Sequence, residues 1–292
     1  MREKEVENGQ MGSARQKLNA LYACIRRLGS VCVAFSGGVD SAFLLKAAQT
    51  ALGDRAVAVT AQSAFFPGSE EEEAEAFCRR EGIRQIICTW DVLAEEEICQ
   101  NPHNRCYLCK KALMQQFLRI AEENGLYAVA EGSNLDDEGD YRPGLCAVAE
   151  LGIRSPLREV GLTKAEIRFL SREMGLPGWD KPAFACLASR FAYGETITGE
   201  KLSMVEQAET LLHTLGFRQC RVRIQDKTAR IEVMPEDFAR FLQAPLRETV
   251  SQKLRQYGFV YTAVDLQGYR AGSMNETLEK EQREQQTAER VK

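Results

Sequence analysis

The sequence predicts an α/β protein in which a doubly wound parallel sheet is followed by a smaller C-terminal α+β domain. In the first part of the chain, short and continuously apolar runs alternate with stretches whose apolar residues recur at helical spacing. Such runs are typical of strands buried on both faces, and short connections between strand and helix favour a parallel sheet. A length of 292 residues allows two domains, each with its own core.

The apolar runs of the first part predict strands, and the stretches between them predict helices. Residues 14–28 form the first helix, and the acidic run at 70–75 opens a helix that ends at 81, because negative charge suits a helix N-terminus. Thr163 is the expected N-cap of a helix that continues to Met174. The predicted strands are residues 31–35, 56–61, 85–89, 127–130 and 153–157.

The second part of the chain has a different order of elements. We expect a first domain over residues 1–180, a second over 181–273 and a charged tail over 274–292. The tail is nearly free of aliphatic residues, which indicates a solvated helix or a disordered segment. The elements predicted for the second domain are a helix at 198–215, strands at 219–224 and 228–233, a helix at 246–257 and a strand at 260–265.

Composition and charge limit the class of protein. The hydrophobic fraction of 44% and charged fraction of 27% are those of a soluble globular protein. The net charge of -4 argues against nucleic-acid binding through charge alone, although it allows a nucleotide site. Because no apolar run reaches the ~18 residues of a membrane span and the N-terminus does not resemble a signal peptide, we expect a cytoplasmic protein without membrane partners. Its 10 cysteines are then mostly reduced.

The run Ser-Gly-Gly-Val-Asp-Ser at residues 36–41 follows the first predicted strand and precedes a helix. The two glycines allow the backbone to approach a ligand closely, and the N–H groups at the start of a helix attract an anion. Asp40 either caps the helix or helps to hold a metal ion. The run therefore predicts a phosphate site, but it lacks the Gly-Lys-Ser/Thr ending of a Walker A loop.

Two further strand ends are expected to complete a nucleotide pocket, since open parallel sheets bind ligands there. The backbone of Ala61 is placed to bind the edge of a base. A second glycine turn, with Gly132 inside Glu131-Gly132-Ser133-Asn134, is placed to close the pocket. Lys164 and Arg158 either reach phosphates or lie on the surface.

Three cysteines lie beside cationic residues. Cys106 and Cys109 form a Cys-x-x-Cys pair flanked by Arg105 and Lys110, close to a predicted helix N-terminus that favours thiolates. Cys186 lies in the segment between the two domains, before Arg190. Chance packing of small side chains is the alternative for each cysteine.

The run at 36–41 resembles the pyrophosphate-binding loop of the PP-loop ATPases, Rossmann-like enzymes that split ATP between the α and β phosphates and attach AMP to a carbonyl or carboxyl oxygen. The run Ala-Cys-Leu-Ala-Ser-Arg at 185–190 resembles the LarE family, as do Trp-Asp-Lys-Pro at 179–182, Tyr-Gly at 193–194 and Asp-Tyr-Arg-Pro-Gly at 140–144. The resemblance extends from residue 36 to about Asn275. It implies Asp40 and Cys186 as catalytic residues, Mg²⁺, and an ATP site of Ala34, Phe35, Ser36, Gly37, Gly38, Val39, Asp40, Ser41, Ala61 and Gly132.

Similarity to the LarE family implies an ATP-dependent sulfur transferase for nickel-pincer nucleotide synthesis. Its substrate is a pyridinium biscarboxylic acid mononucleotide, of which a carboxylate is adenylylated and then converted to a thiocarboxylate. In one form of the family a single cysteine at the Cys186 position gives up its own sulfur. In the other form three cysteines hold a [4Fe-4S] cluster that passes on a sulfide, and Cys106, Cys109 and Cys186 fit this form. A zinc site of these cysteines with His103 is the main alternative metal site.

The second domain supplies candidate residues for the substrate and for assembly. Arg221 and Arg223 alternate on one predicted strand, so both point to one face, and the family strand to which they are similar holds the substrate phosphate. The resemblance also implies a divalent metal at a subunit junction and a homo-oligomer, trimer or hexamer, with Glu209, Glu232 and Asp237 as the acidic residues. A surface of solvated salt bridges is the alternative for all five side chains.

Three other functions remain open from the sequence alone. A tRNA thiolase is disfavoured by the acidic net charge, and an ammonia-using amide synthetase would leave the three cysteines without a role. The third alternative is a binding protein of a different class, which senses a nucleotide or a cluster and catalyses no reaction.

Overall fold

The computed structural model of the protein describes residues 2–139, 143–182, 185–270 and 272–277. The predicted motif residues Asp140, Tyr141 and Arg142, the pair Ala183 and Phe184, and residues 278–292 of the predicted tail lie outside the described residues.

The described chain divides into two compact units. Residues early in the chain contribute to both of them, so the units are not simple halves of the sequence. The first consists of the described parts of Met1–Gln62, Gly68–Trp90 and Cys106–Phe184, and the second of the described parts of Ser63–Pro67, Asp91–Arg105 and Ala185–Lys292.

A four-stranded parallel sheet forms the centre of the first unit, and it confirms the predicted α/β class. Its strands are β1 (Val31–Ala34), β2 (Ala56–Gln62), β3 (Gln85–Thr89) and β4 (Ala128–Ala130), in the spatial order β3-β2-β1-β4. The Val, Ala and Cys side chains of β1 and β2 are almost all buried, because both faces of the sheet are covered. The order reverses between β1 and β4, and the carboxyl ends of strands at such a switch point are where open α/β sheets bind ligands.

The prediction of a fifth strand at residues 153–157 is wrong. Of these residues Arg154 alone pairs with the sheet, through a single parallel bridge to Ala130. Pro156 begins a helix of four residues instead. Proline cannot donate to a strand ladder, but its missing N–H is harmless in the first turn of a helix.

Helices flank the sheet, and the cap predicted at Thr163 is present. Thr163 Oγ1 accepts a hydrogen bond from the Glu166 backbone N–H while the Glu166 carboxylate accepts from the Thr163 N–H, which is a capping box. None of the described helices is both long and apolar enough to cross a membrane. Over both units, the helices of the described residues are α1 (Arg2–Arg26), α2 (Val39–Leu52), α3 (Gly68–Glu81), α4 (Glu96–Cys99), α5 (Arg105–Glu123), α6 (Gly144–Glu150), α7 (Pro156–Glu159), α8 (Lys164–Glu173), α9 (Gly199–Thr214), α10 (Phe238–Phe241) and α11 (Ala244–Gln256). Of these, α4 and α9 to α11 belong to the second unit.

The second unit contains a mixed three-stranded sheet, which confirms the predicted smaller sheet. Its strands are β5 (Cys220–Gln225), β6 (Thr228–Val233) and β7 (Tyr261–Val264), with β5 and β6 antiparallel and β6 and β7 parallel. Asp226 turns the β5–β6 hairpin with a φ of 51°, a left-handed conformation that Asp tolerates better than most residues. The apolar face of α9 packs on β5 and buries the core of this unit.

Candidate active site

The glycine turn after β1 forms a tight loop lined by hydroxyl groups. Gly37 has a φ of 75°, a left-handed conformation that glycine adopts without strain. Ser41 Oγ donates to the Gly38 carbonyl at 3.0 Å and lies 3.2 Å from Ser36 Oγ. Gly38 is the N-cap of α2 and has no side chain to cap it, so the first N–H groups of the helix suit an anion.

Asp40 lies in the first turn of α2 rather than at its N-cap, so the capping alternative is wrong for this residue. Its Oδ2 accepts a hydrogen bond from Lys164 Nζ at 2.6 Å, whereas its buried Oδ1 has no hydrogen-bond partner among the described residues. Burial raises the pKa of Asp40, and the Lys164 ammonium opposes that shift. Mg²⁺ prefers oxygen ligands, and this carboxylate oxygen has no other partner among the described residues. Asp40 is therefore suited to bind Mg²⁺ beside a phosphate.

The glycine turn after β4 lies directly against the start of α2. A Cβ atom added at Gly132 would be 3.0 Å from the backbone nitrogen of Ser41 and 3.3 Å from the carbonyl carbon of Asp40. Only glycine permits this approach without displacement of the loop. The structure therefore brings the two predicted glycine turns together at one edge of the sheet.

The backbone of Ala61 extends past the end of β1. The pairing of β1 with β2 ends where Ala34 meets Val59 and the Phe35 N–H donates to the Val59 carbonyl, whereas the pairing of β2 with β3 continues through Ala61. Ala34, Phe35 and Ala61 therefore share the sheet edge that carries the loop, and their role toward a base stays a prediction.

Glu131 forms the polar centre of this edge, and the sequence alone indicated no role for it. The side chain is 4% exposed and accepts hydrogen bonds from Ser133 Oγ at 2.8 Å, Ser155 Oγ at 2.6 Å and Lys110 Nζ at 3.4 Å. Burial disfavours the carboxylate, but Lys110 and the two hydroxyls outweigh burial and lower the pKa of Glu131. A single acidic residue directly after an apolar strand was the only local signal for it.

Cys106 lies in the first turn of α5 and Cys109 three residues further on, so the two are neighbours on one face of the helix. Both thiols are half-buried. Lys110, which binds Glu131, follows Cys109 directly, so the carboxylate at the sheet edge helps to fix the turn that carries the two cysteines. A helix N-terminus and a neighbouring cation both favour the thiolate form of cysteine.

Cys186 belongs to the second unit, where two arginines contact it. Arg105 is 1% exposed, and its Nη1 donates to Cys186 Sγ at 3.9 Å. Arg190 Nη1 donates to the Cys186 carbonyl at 2.8 Å, and its Nε and Nη2 bind the Glu209 carboxylate at 2.9 and 2.7 Å. This buried pair fixes the 3₁₀ turn that follows the cysteine. Arg105 is also the residue directly before Cys106 in the chain.

The segment before α5 is held against the segment after Cys186 by Asn101. Asn101 is fully buried with a φ of 53°, and its Nδ2 donates to the Ala192 carbonyl at 2.6 Å. Its own carbonyl accepts from the Gly194 N–H at 2.8 Å. These contacts lie inside the second unit and determine where Arg105 meets Cys186. His103, the alternative zinc ligand, has its ring 4.9 Å from the ring of Tyr193.

Arg221 and Arg223 lie on β5, as predicted. Arg223 binds the Glu232 carboxylate through Nε at 3.0 Å and Nη2 at 3.1 Å, and its Nη1 donates to the Ser189 carbonyl at 2.7 Å. Arg221 is 8% exposed, and its guanidinium lies 5.4 Å from the centre of the Tyr269 ring. Their role toward a substrate phosphate stays a prediction.

The three acidic residues predicted for a divalent metal have different surroundings in one chain. Glu209 binds Arg190 and Glu232 binds Arg223, whereas Asp237 is half-buried in the turn after β6. In the part of the chain that the structure describes, no three His, Cys, Asp or Glu side chains are grouped as metal ligands. Metal binding by these acids stays a prediction that involves a second copy of the chain.

Comparison with known proteins identifies relatives over almost the whole chain. An uncharacterised protein of Synechocystis sp. is 42% identical over 264 residues, which is 90% of this chain and 98% of that protein. The pyridinium-3,5-bisthiocarboxylic acid mononucleotide synthase of Lactiplantibacillus plantarum is 39% identical over 273 residues, 93% of this chain and 98% of the synthase. One chain of the glutamine-hydrolyzing GMP synthase of Methanococcus maripaludis is 30% identical over 62% of this chain and 62% of its own length. No protein-family model matches the chain.

The phosphate loop at the switch point of the sheet and these relatives define an ATP-using enzyme of the PP-loop class. Within that class, the chain belongs to the LarE family of pyridinium-3,5-bisthiocarboxylic acid mononucleotide synthases. The resemblance seen in the sequence is confirmed, and the protein is an ATP-dependent sulfurtransferase.

Proposed function

We propose that the protein adenylylates a carboxylate of a pyridinium biscarboxylic acid mononucleotide and converts it to a thiocarboxylate during nickel-pincer nucleotide synthesis. The carboxylate oxygen attacks the α-phosphorus of ATP and pyrophosphate leaves. A sulfur nucleophile then attacks the activated carbonyl carbon and AMP leaves. The observation that carries the proposal is the similarity to a pyridinium-3,5-bisthiocarboxylic acid mononucleotide synthase over 98% of that enzyme.

The loop at 36–41 binds the pyrophosphate part of ATP in this proposal. The N–H groups at the start of α2 donate to phosphate oxygens, and the Ser41 hydroxyl stabilises the loop itself. Asp40 Oδ1 is the oxygen that would hold Mg²⁺, which when bound neutralises phosphate charge. The Lys164 ammonium forms an ion pair with the other oxygen of Asp40.

Cys106, Cys109 and Cys186 are the proposed ligands of a [4Fe-4S] cluster. When bound, a cluster held by three thiolates has one iron without a protein ligand, which is able to carry a sulfide. Thiolates are the ligands of iron–sulfur clusters, and all three thiols are half-buried. Within the second unit, Arg105 donates to Cys186 Sγ. The competing proposals are a zinc site with His103 and sacrificial donation of the sulfur of Cys186.

The test of the proposed function is a product analysis. Purified protein with ATP, Mg²⁺ and the carboxylated pyridinium mononucleotide should give AMP, pyrophosphate and a thiocarboxylate, as measured by chromatography and mass spectrometry. ADP as the nucleotide product would contradict adenylylation. An amide formed with ammonia, or thiolated tRNA, would identify the enzyme as another member of the PP-loop class, and nucleotide binding without product would indicate a sensor.

Replacement of Arg221 or Arg223 with alanine should weaken use of the mononucleotide and leave ATP binding almost intact. Loss of a charge-assisted hydrogen bond to the substrate phosphate corresponds to about tenfold to a hundredfold in affinity. Substrate KM and ATP Kd are the quantities to measure.

Arg230→Ala is the matched control, because Arg230 lies opposite Arg223 in the hairpin and also binds Glu232. A thermal melt of each variant is needed, since Arg223 also binds Ser189 and Ser273. Substrate KM that stays unchanged in both folded variants would rule out the phosphate role.

Three finer properties belong to the proposal. We place the enzyme in the cytoplasm, as a homo-oligomer that is a trimer or a hexamer. At a subunit junction Glu209, Glu232 and Asp237 would meet a divalent metal, and sedimentation with and without a chelator tests both statements. The substrate is a small nucleotide rather than a nucleic acid, consistent with the net charge of -4.

A further inference from the structure

The phosphate loop contains no cation of its own. It lacks the lysine of a Walker A loop, and its one charged residue is Asp40. Lys164 lies beside the loop, but it is bound to Asp40. A cation from another part of the unit would therefore add to the charge that Mg²⁺ at Asp40 supplies to a bound pyrophosphate.

Lys181 is bound to a glutamate that borders Gly37 of the loop. A Cβ atom added at Gly37 would be 3.4 Å from the Glu70 carbonyl oxygen and 3.7 Å from Glu70 Oε2, so this carboxylate borders the loop. Lys181 Nζ lies 2.7 Å from the same Oε2 and 2.6 Å from Glu73 Oε2. The ammonium is thus one hydrogen bond away from a group in contact with the loop.

Hydrogen bonds hold the backbone around Lys181, whereas one N–H of its ammonium is not used by the two glutamates. Arg168 Nη1 donates to the Trp179 carbonyl at 3.1 Å and Arg168 Nη2 to the Lys181 carbonyl at 2.7 Å, which holds the backbone here. An ammonium has three N–H donors, and the two glutamates accept two of them. Burial disfavours the charged form, but the bonds to Glu70 and Glu73 outweigh it and raise the pKa of Lys181.

We propose that Lys181 is a binding residue for the pyrophosphate part of ATP. Glu70 and Glu73 hold its ammonium in place and lower its affinity for the pyrophosphate product. The two glutamates accept two of the three N–H donors of the ammonium. The third N–H is therefore able to donate to an oxygen of the pyrophosphate. Two carboxylates beside the cation reduce the net attraction for pyrophosphate, which favours release. This inference rests on the proposed binding of ATP at the loop.

Binding of pyrophosphate and of AMP, measured by calorimetry on the full chain, separates this role from a structural one. Lys181→Met should weaken pyrophosphate binding by about tenfold to a hundredfold and leave AMP binding unchanged, since AMP lacks the leaving phosphates. Lys46→Met is the matched control, because Lys46 forms a similarly half-buried ion pair with Glu81 at 2.8 Å in the same unit.

Glu70→Gln tests the second half of the proposal with the opposite sign. It should tighten pyrophosphate binding severalfold and strengthen product inhibition in turnover, and the effect should vanish in a Lys181→Met background. Glu75→Gln, on the exposed side of α3, controls for the general loss of negative charge. If Lys181→Met also loses AMP binding through misfolding, the sign of the Glu70→Gln effect decides.

Two results would overturn the inference. One is normal pyrophosphate binding in a Lys181→Met protein that binds AMP normally, and the other is weaker pyrophosphate binding in Glu70→Gln. If the wild-type protein itself does not bind pyrophosphate, the proposed function of the loop fails instead.

Discussion

Asp40→Asn should abolish adenylylation while the protein remains folded. Asparagine keeps the size of the side chain but removes the charge that a Mg²⁺ ion at Oδ1 requires, and Oδ1 has no hydrogen-bond partner among the described residues to lose. Removal of one preorganised group that stabilises transition-state charge typically reduces kcat by about a hundredfold to a thousandfold. Release of pyrophosphate in single-turnover reactions measures the effect.

Lys164 complicates this substitution, because its ammonium binds Asp40 at 2.6 Å and would lose its carboxylate partner. A double variant, Asp40→Asn with Lys164→Met, therefore separates loss of the metal ligand from an uncompensated lysine. Both variants should melt within a few degrees of the wild type. Adenylylation at the normal rate in Asp40→Asn, with the usual dependence on Mg²⁺, would exclude Asp40 as the metal ligand.

Cys106→Ala should eliminate repeated sulfur transfer, and Cys109→Ala should do the same. In the cluster proposal both thiolates are ligands, so neither variant retains the group that carries the sulfide. Pyrophosphate and the acyl-adenylate still form, but AMP is not displaced by sulfur. In the sacrificial alternative only Cys186 reacts, so both variants keep a single turnover and leave dehydroalanine at position 186. Turnover with added sulfide, the iron and labile sulfide content, and the mass of the protein after reaction distinguish the two mechanisms.

Cys146→Ala is the matched control for these variants, because Cys146 is also a half-buried thiol of the first unit and the proposal gives it no role. It should retain the spectrum and turnover of the wild type. A wild-type protein that is colourless after anaerobic reconstitution, yet transfers one sulfur and loses H₂S from Cys186, would disprove the cluster.

The parts of the fold that depend on local sequence could be predicted. The strands of the first sheet are short runs of Val, Ala, Ile and Cys, and burial on both faces makes such runs recognisable. The capping box at Thr163 is equally local. The same reasoning failed at residues 153–157, where the apolar pattern suited a strand and the missing N–H of Pro156 suited a helix.

In the candidate site, too, continuous motifs could be predicted from the sequence and isolated side chains could not. The glycine loop is a continuous motif, whereas Glu131 and Lys181 are single charged residues whose partners lie far away in sequence. Side chains of this kind leave no periodic pattern, so their surroundings become visible only in the folded chain. The alternation of Arg221 and Arg223 gave their strand correctly, but it did not reveal that Glu232 binds Arg223 from the neighbouring strand.

The second unit takes two segments from early in the chain, which affects how the enzyme can be divided or recombined. The N–H groups of Leu187, Gly194 and Ile197 donate to the carbonyls of Phe65, Asn101 and Cys99. A gene cut near residue 180 would separate these donors from their acceptors and leave pieces of one unit attached to the other. A single crossover between related genes therefore cannot exchange one complete unit. A chimaeric enzyme must take both units from the same parent.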